Sequence, residues 1–590
     1  MAPDHIIRLA RTPTLAELFR QRVARSGDQT AYLQPEPGTD RWVAHNWNDT
    51  AREVARWQQA LLAEGLEPGD RVMIMARNGW PWVVFDQAAL GLGLVPVPVF
   101  MNDRAENIAW IAEDCGARFL LIQGPDQWQA LEPVLDRLLV SIQRIVCLDP
   151  CPADHPALVE RDRWLPESGE LITREADRNS LATIIYTSGT TGRPKGVMLS
   201  HYNILWDLHA ALEVYPIEPD NLFLSFLPLS HALERTAGYY LPMACGATVA
   251  YNRAIPLLAE DLALVRPTIM ISVPRIFERI YGRITEKLAG ESEMRRWLFR
   301  KAVDLGWRRF EHQQGRAGWS PGLLVQPLFD RLVGRKVRAR LGGRLRFTVC
   351  GGAALSPEVA RLFIGLGIPI QQGYGLTETS PVISVNPLDD NRPETVGPPL
   401  PGVEVRLGDG DELLTRSPAV MLGYWNRPDA TAEMIDAGGW LHTGDRAAIE
   451  PSGHIRITGR LKEIIVLSTG EKVPPADMEN AITLDPYIDQ AMVVGEGRPY
   501  LAALVVLAPG ARARLESELG GDPQRIEAEV LARVQAATAA FPGYAKIHRV
   551  AILDEPLTPE NGLLTPTLKL RRNRILEAFS DEMQKLYAGH

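Results

Sequence analysis

Residues Tyr186 to Gly196 read YTSGTTGRPKG and directly follow the apolar run LATII. Four small hydroxyl residues (Thr187, Ser188, Thr190, Thr191), three glycines (Gly189, Gly192, Gly196) and one lysine, Lys195, fall within this stretch. Glycines at that density let the backbone turn so that successive N–H groups converge, and convergent N–H groups form an anion-binding concavity. The hydroxyls add donors, and Lys195 adds a point charge suited to phosphate. The stretch therefore predicts a loop that holds a polyphosphate. It is not a Walker motif, because Pro194 precedes the lysine and Gly196 follows it.

Outward from this loop, short apolar or β-branched runs (RVMIMA, VPVPVF, FLLIQ, RIVCL, TIMISVP, RFTVCGG) alternate with amphipathic stretches such as WNDTAREVARWQQALLAEG. That alternation predicts α/β layering. From Lys462 the character changes to EIIVLSTGEKV, two strand-like runs in DQAMVVGEGRPYLAALVVLAP, a helix around PQRIEAEVLARVQAATAA and a strand at IHRVAILD. We expect a large N-terminal domain over 1–461 and a small α+β domain over 462–590, since 590 residues exceed one ordinary core.

Apolar residues at 46% and charged residues at 23% are the proportions of a chain that folds throughout. Asp4, Arg8 and Arg11 interrupt the N-terminal apolar runs, and no window offers about 18 uncharged apolar residues, which predicts a cytoplasmic protein. A formal charge of −9 argues against a nucleic-acid binder. The five cysteines lack a zinc-site pattern and read as buried free thiols. One segment opposes the average charge: residues 294–346 carry fourteen Arg or Lys against three acids. Within it Met294, Trp297, Leu298, Ala302 and Leu305 share a helical face with Arg295, Arg296 and Arg300 around it. A basic amphipathic helix of this kind predicts weak, salt-sensitive contact with anionic lipid, peripheral at the inner membrane surface.

The stretch YTSGTTGRPKGVMLSH resembles the phosphate-loop signature of the adenylate-forming, AMP-binding superfamily. The resemblance continues in order through LPLSHALER (227–235), CGGAALSPE (350–358), QQGYGLTETS (371–380), GGWLHTGD (438–445), GHIRITGRLKEIIVLSTGEKVPP (453–475) and LLTPTLKLRR (563–572). It is closer to the long- and medium-chain fatty acyl-CoA synthetases than to acetyl, aryl or amino-acid activators. It implies a multi-subdomain N-terminal domain with a small mobile C-terminal lid. The substrates implied are a fatty acid, ATP with Mg²⁺, and coenzyme A.

By the same resemblance, Thr187, Ser188, Gly189, Thr190, Thr191, Gly192 and Lys195 cradle phosphates. Gly351, Gly352 and Ala353 pass between adenine and the acyl pocket. Gln372, Gly373, Tyr374, Gly375 and Thr377 contact the nucleotide, with Tyr374 stacked on the purine. Glu378 is a hard oxygen ligand for Mg²⁺, Asp445 binds the ribose hydroxyls, and Arg460 donates to ribose or phosphate. His231 lines the wall between the acyl carboxylate and the nucleotide. Lys569 reaches into the large domain to neutralise charge at the α-phosphate, and Lys462 is the hinge. Alternatives in the same superfamily are an acyl-AMP ligase and an aryl or other carboxylate–CoA ligase. A catalytically silent lipid- or nucleotide-binding scaffold would require loss of Lys195, Glu378, Asp445, Arg460 or Lys569, and all five are present.

Overall fold

The apolar runs are strands because they are covered on both faces. The computed structural model describes residues 5–152, 154–187, 193–565 and 568–588. Among them, Val95–Pro98, Arg71–Met75, Phe119–Ile122, Arg144–Cys147 and Leu158–Glu160 form, in that spatial order, a wholly parallel sheet. Their near-continuous apolar character is what a doubly covered parallel sheet requires. The helix Trp47–Ala63 opens on a capping box between Asn46 and Asp49 and packs on the helix Trp80–Gly91.

A second sheet has the order Val382–Val385, Ile370–Gly375, Phe347–Cys350, Ile269–Ser272, Leu222–Ser225, Thr248–Tyr251, Thr30–Pro35, Trp42–Asn46. It is parallel except at its two edges. A third, smaller sheet pairs Leu181–Thr187 with Lys195–Ser200, and Gly423–Tyr424 adds to the second of these. Buried polar groups join the three sheets. Arg235, on the π-helical segment Glu234–Tyr240, donates to Asp86 of the helix Trp80–Gly91, to Thr183 Oγ1 at 2.7 Å and to the Tyr240 hydroxyl at 3.0 Å. Asp86 also accepts from Tyr240 at 2.7 Å and Tyr239 at 3.2 Å. Burial opposes the charge on Arg235, but Asp86 together with Tyr240 and Tyr239 outweighs it and raises its pKa.

A four-stranded antiparallel sheet (Glu404–Leu407, Glu412–Arg416, Leu441–Ile449, Ile455–Arg460) leads to the turn at Lys462. Beyond it lie a short hairpin, Ile465–Val466 with Lys472–Val473, and the sheet Ile488–Val494, Leu501–Leu507, Ile547–Leu553 backed by the helix Pro523–Ala537. This is the α+β pattern expected from the sequence. All five cysteines are buried free thiols, and burial pushes Cys115, Cys147 and Cys245 up to about 12.

The basic segment corrects one expectation. The helix Glu293–Gln313 does not offer its whole apolar face to solvent: Ala302, Leu305 and Gly306 pack on the helix Pro357–Gly365. The approach is so close that a Cβ on Gly306 would lie 1.7 Å from the Gly365 carbonyl oxygen. Exposed apolar surface comes from Met294 and Trp297, and from Leu324, Leu328 and Leu332 on the following helical stretch. These leucines recur every four residues, and Phe329 rests against Trp297 with ring centroids 6.1 Å apart.

Candidate functional site

In open parallel sheets, ligands bind beyond the carboxyl ends of the strands. His231 follows Leu222–Ser225, Gly351 to Ala353 follow Phe347–Cys350, and Tyr374 and Gly375 end Ile370–Gly375. They open on a cavity of about 3210 Å³ walled by both domains. That volume is about three times the upper end of an ordinary small-molecule pocket, ~1,000 Å³. Thr187, Lys195, Gly373, Thr377, Glu378, Asp445, Arg460, Lys462 and Lys569 line the same space.

Asp445 sits on Leu441–Ile449 directly across from Arg460 on Ile455–Arg460. One carboxylate oxygen accepts from Arg460 Nε at 2.8 Å and the other from the Tyr374 hydroxyl at 2.6 Å. The Asp445 backbone N–H is bound to Thr443 Oγ1 at 3.1 Å. Burial and the adjacent Asp445 charge raise the Tyr374 pKa, so the phenol stays a donor. For Arg460, burial works against the cation, yet Asp445, with Glu463 and Tyr374, prevails and its pKa rises.

Glu378 is oriented from outside its motif. Its Oε1 accepts from the Tyr424 hydroxyl at 2.8 Å, and the Lys195 ammonium lies 5.2 Å from the Tyr424 ring centroid. Tyr424 thus touches both the acid and the lysine. Only its place on Gly423–Tyr424, paired with Val197 and Met198, brings it there. The sequence reading missed it, because an isolated GYW carries no chemical pattern.

Lys569 enters from the C-terminal domain and is tied back to Thr565. Its N–H donates to Thr565 Oγ1 at 3.0 Å, its carbonyl accepts from Thr565 N–H at 2.9 Å, and Leu564 pairs with Leu570. Leu568 adopts φ 62°, a left-handed value that costs a leucine roughly 1–2 kcal/mol. The ammonium keeps contact with solvent through the cavity while protein surrounds it. Burial and Arg460 lower its pKa, against the opposing pull of Asp445, Glu463 and Glu378. His231 is half-buried in the wall, and burial together with Lys569 pushes it down to about 4, so the imidazole is neutral at pH 7.

Gln372 stands apart from the other expected site residues. It is buried, accepts from Leu355 N–H at 2.9 Å and donates to the Pro393 carbonyl, so its amide braces the loop rather than facing the cavity. Ser188, Gly189, Thr190, Thr191 and Gly192 lie outside the described residues. The strands that flank them are paired up to Thr187 opposite Lys195.

A family model described as AMP-binding enzyme matches residues 19–425, and one described as AMP-binding enzyme C-terminal domain matches residues 462–590. The chain is 33% identical over 573 residues to the long-chain-fatty-acid–CoA ligase FadD15 of Mycobacterium bovis, covering 92% of each. It is 31% identical over 595 residues to the peroxisomal long chain acyl-CoA synthetase 7 of Arabidopsis thaliana, covering 93% of this chain and 82% of that one. Among solved structures it is similar to the adenylation domain of a carboxylate reductase from Mycobacterium chelonae. The TM-score is 0.78 at 23% identity over 98% of this chain and 91% of that one, which shows a shared fold.

Proposed function

The chain belongs to the AMP-binding enzyme family, and we propose that it joins a long- or medium-chain fatty acid to coenzyme A through an acyl-AMP intermediate. The observation that carries this reading is the convergence of Lys569 from the C-terminal domain with Lys195, Glu378, Asp445 and Arg460 on one cavity. The names of the Mycobacterium and Arabidopsis relatives support the fatty acid as the substrate.

In the first step a carboxylate oxygen attacks the α-phosphorus of ATP. The new O–P bond forms as the bond to pyrophosphate breaks, and pyrophosphate leaves with the electron pair. Negative charge gathers on phosphoryl oxygens, so the step needs aimed cations and donors more than a covalent nucleophile. Lys195 and Thr187 serve the phosphates, Asp445 takes the ribose hydroxyls, Tyr374 lies against the purine, and Lys569 neutralises charge between carboxylate and α-phosphate. His231, being neutral, forms a wall that does not compete for either anion.

Among the described residues no group of three acidic, histidine or cysteine side chains makes a metal cage. Glu378 has Oε2 without a hydrogen-bond partner there, since Tyr424 takes Oε1. One protein carboxylate together with nucleotide phosphates and water is the donor set that suits Mg²⁺ on ATP. When bound, the ion supplies positive charge to the phosphates. In the second step the thiol sulfur bonds to the acyl carbon, the bond to AMP oxygen breaks, AMP leaves with the pair and the thiol proton passes to solvent. The sulfur needs space on the side that Lys569 fills, so the C-terminal domain, taken as 462–590, turns about Lys462 between the steps.

The reading is tested with a panel of acids from acetate to stearate. Pyrophosphate release should require a fatty acid, and thioester should require coenzyme A as well; release without dependence on either overturns it.

Lys569→Ala is expected to slow acyl-AMP formation by about 3 to 4 kcal/mol of barrier while sparing thioester formation from supplied acyl-AMP. Because the lysine pKa is lowered, the protonated form it contributes is lost as pH rises, sooner than for an ordinary lysine at about 10.4. The alkaline limb of kcat/KM for adenylation should therefore fall below that value, and Lys569→Arg should abolish it, since guanidinium keeps its proton.

Lys462 is exposed, sits in a turn, and its N–H makes no backbone hydrogen bond among the described residues. Lys462→Pro should therefore leave folding intact while freezing φ near −65°. We expect ATP–pyrophosphate exchange within about tenfold of wild type, an allowance of about 1.4 kcal/mol, with acyl-AMP accumulating and coenzyme A-dependent turnover collapsing. Parallel loss of both half-reactions would make Lys462 an ordinary turn residue.

Peripheral contact with anionic membranes is proposed through the basic segment, anchored by Leu324, Leu328 and Leu332 rather than by the packed face of Glu293–Gln313. Arg331, Arg335 and Lys336 are exposed beside these leucines and unpaired among the described residues, which suits anionic headgroups. Flotation with phosphatidylglycerol-containing vesicles at low salt should recover wild type. Replacing the three leucines by serine should cut recovery by on the order of tenfold, and equal recovery with pure phosphatidylcholine would count against the contact.

A further inference from the structure

The helix Pro274–Ala289 forms one wall of the cavity, and its arginines recur every four residues at Arg275, Arg279 and Arg283. At 1.5 Å per residue they are spread over about 12 Å of one helix face. Like charges at this spacing weaken a helix, so the helix itself has no use for them.

Two ion pairs bracket this row and cross the seam between the domains. Arg275 meets Asp489 at 3.5 Å, and Glu286 of the same helix meets Arg514 at 3.1 Å. Between these clasps Arg279 and Arg283 make no ion pair among the described residues, although both line the cavity. Burial and the charges of Arg275 and Arg283 lower the Arg279 pKa, with Asp489 opposing, which marks positive charge left uncompensated. Glu278 also lines this wall, and burial raises it to about 7 against the pull of Arg275, so it carries less than a full negative charge at neutral pH.

We propose that Arg279 and Arg283 bind the phosphate groups of coenzyme A, resting on the ligase reading above. In that reading the nucleotide phosphates already have Lys195 and Lys569. Coenzyme A carries its phosphates at the far end of a long arm from the sulfur, so their site must lie away from the reacting carbon, along a wall that continues the cavity. Planar guanidinium forks that line the cavity and stay exposed to solvent are suited to phosphate. The two clasps would part when the C-terminal domain turns, and Arg275, released from Asp489, would join the same site.

The test compares thiols that share the pantetheine arm: coenzyme A and dephospho-coenzyme A, which differ only in the 3′-phosphate, and 4′-phosphopantetheine and pantetheine, which differ only in the 4′-phosphate. For wild type, kcat/KM should favour coenzyme A over pantetheine. In Arg279→Gln/Arg283→Gln that ratio should fall by about tenfold per arginine removed, the size of a charge-assisted hydrogen bond, and Arg279→Lys/Arg283→Lys should recover part of it. A smaller gap between coenzyme A and its dephospho form in the variant would assign the arginines to the 3′-phosphate. A smaller gap between 4′-phosphopantetheine and pantetheine would assign them to the diphosphate; either result supports the proposal. An unchanged ratio overturns it, as does a rise in KM for the fatty acid alone, which would make the row a carboxylate entrance. Wild type that forms acyl-AMP but no thioester would remove the ligase reading together with this one, so the two failures are distinguishable.

Discussion

The buried ion pair of Arg235 and Asp86 is the constraint on which the large domain turns. Its three anchors belong to different layers. Asp86 rides on a helix of the first parallel sheet, Arg235 lies beside the second, and Thr183 sits in the strand that runs up to the phosphate loop. A charge without access to water tolerates little misplacement, because losing one partner typically costs about 3–5 kcal/mol. The pair therefore holds the sheets in one relative position. That position puts His231, four residues before Arg235, and Thr187, four residues after Thr183, on the wall of the same cavity.

Around that cavity the polar groups are held before any substrate arrives. Asp445 is fixed by Arg460 and Tyr374, Glu378 by Tyr424, and the Lys569 backbone by Thr565. Fixed charges and dipoles need no reorganisation when charge develops, which is where such sites gain most of their rate. The large domain supplies acids and donors in a rigid frame. The C-terminal domain adds Lys569 to the cations Lys195 and Arg460 of the large domain, so the charge of the site includes a group from each domain.

Much of this was legible in the sequence, for physical reasons that can be named. Runs such as FLLIQ and TIMISVP could be read as strands because burial on both faces leaves no polar position. Asp445, Arg460, Glu378 and Lys569 were singled out by resemblance, through short ordered motifs, and the structure brings all four to one cavity. Gln372 was misread because a motif does not show depth: it lies one strand period below Tyr374, where backbone groups of Leu355 and Pro393 claim its amide. Tyr424 was invisible because its role exists only through strand pairing with Val197, more than 200 residues away. The face of Glu293–Gln313 was read correctly as apolar and wrongly as free, since periodicity cannot say which neighbour an apolar face will meet. The contact of Gly306 with Gly365 decided that.

The burial of every cysteine has a consequence for chemical durability. An acyl adenylate is an electrophile that any accessible thiolate would capture. Here the protein's own thiols are enclosed, and burial keeps Cys115, Cys147 and Cys245 protonated far above neutral pH. Since the thiolate is the nucleophile, these groups are inert toward the intermediate while they stay enclosed. The sulfur that meets the acyl carbon is then the one delivered by the acceptor, and the catalyst is spared from acylating its own thiols over many turnovers.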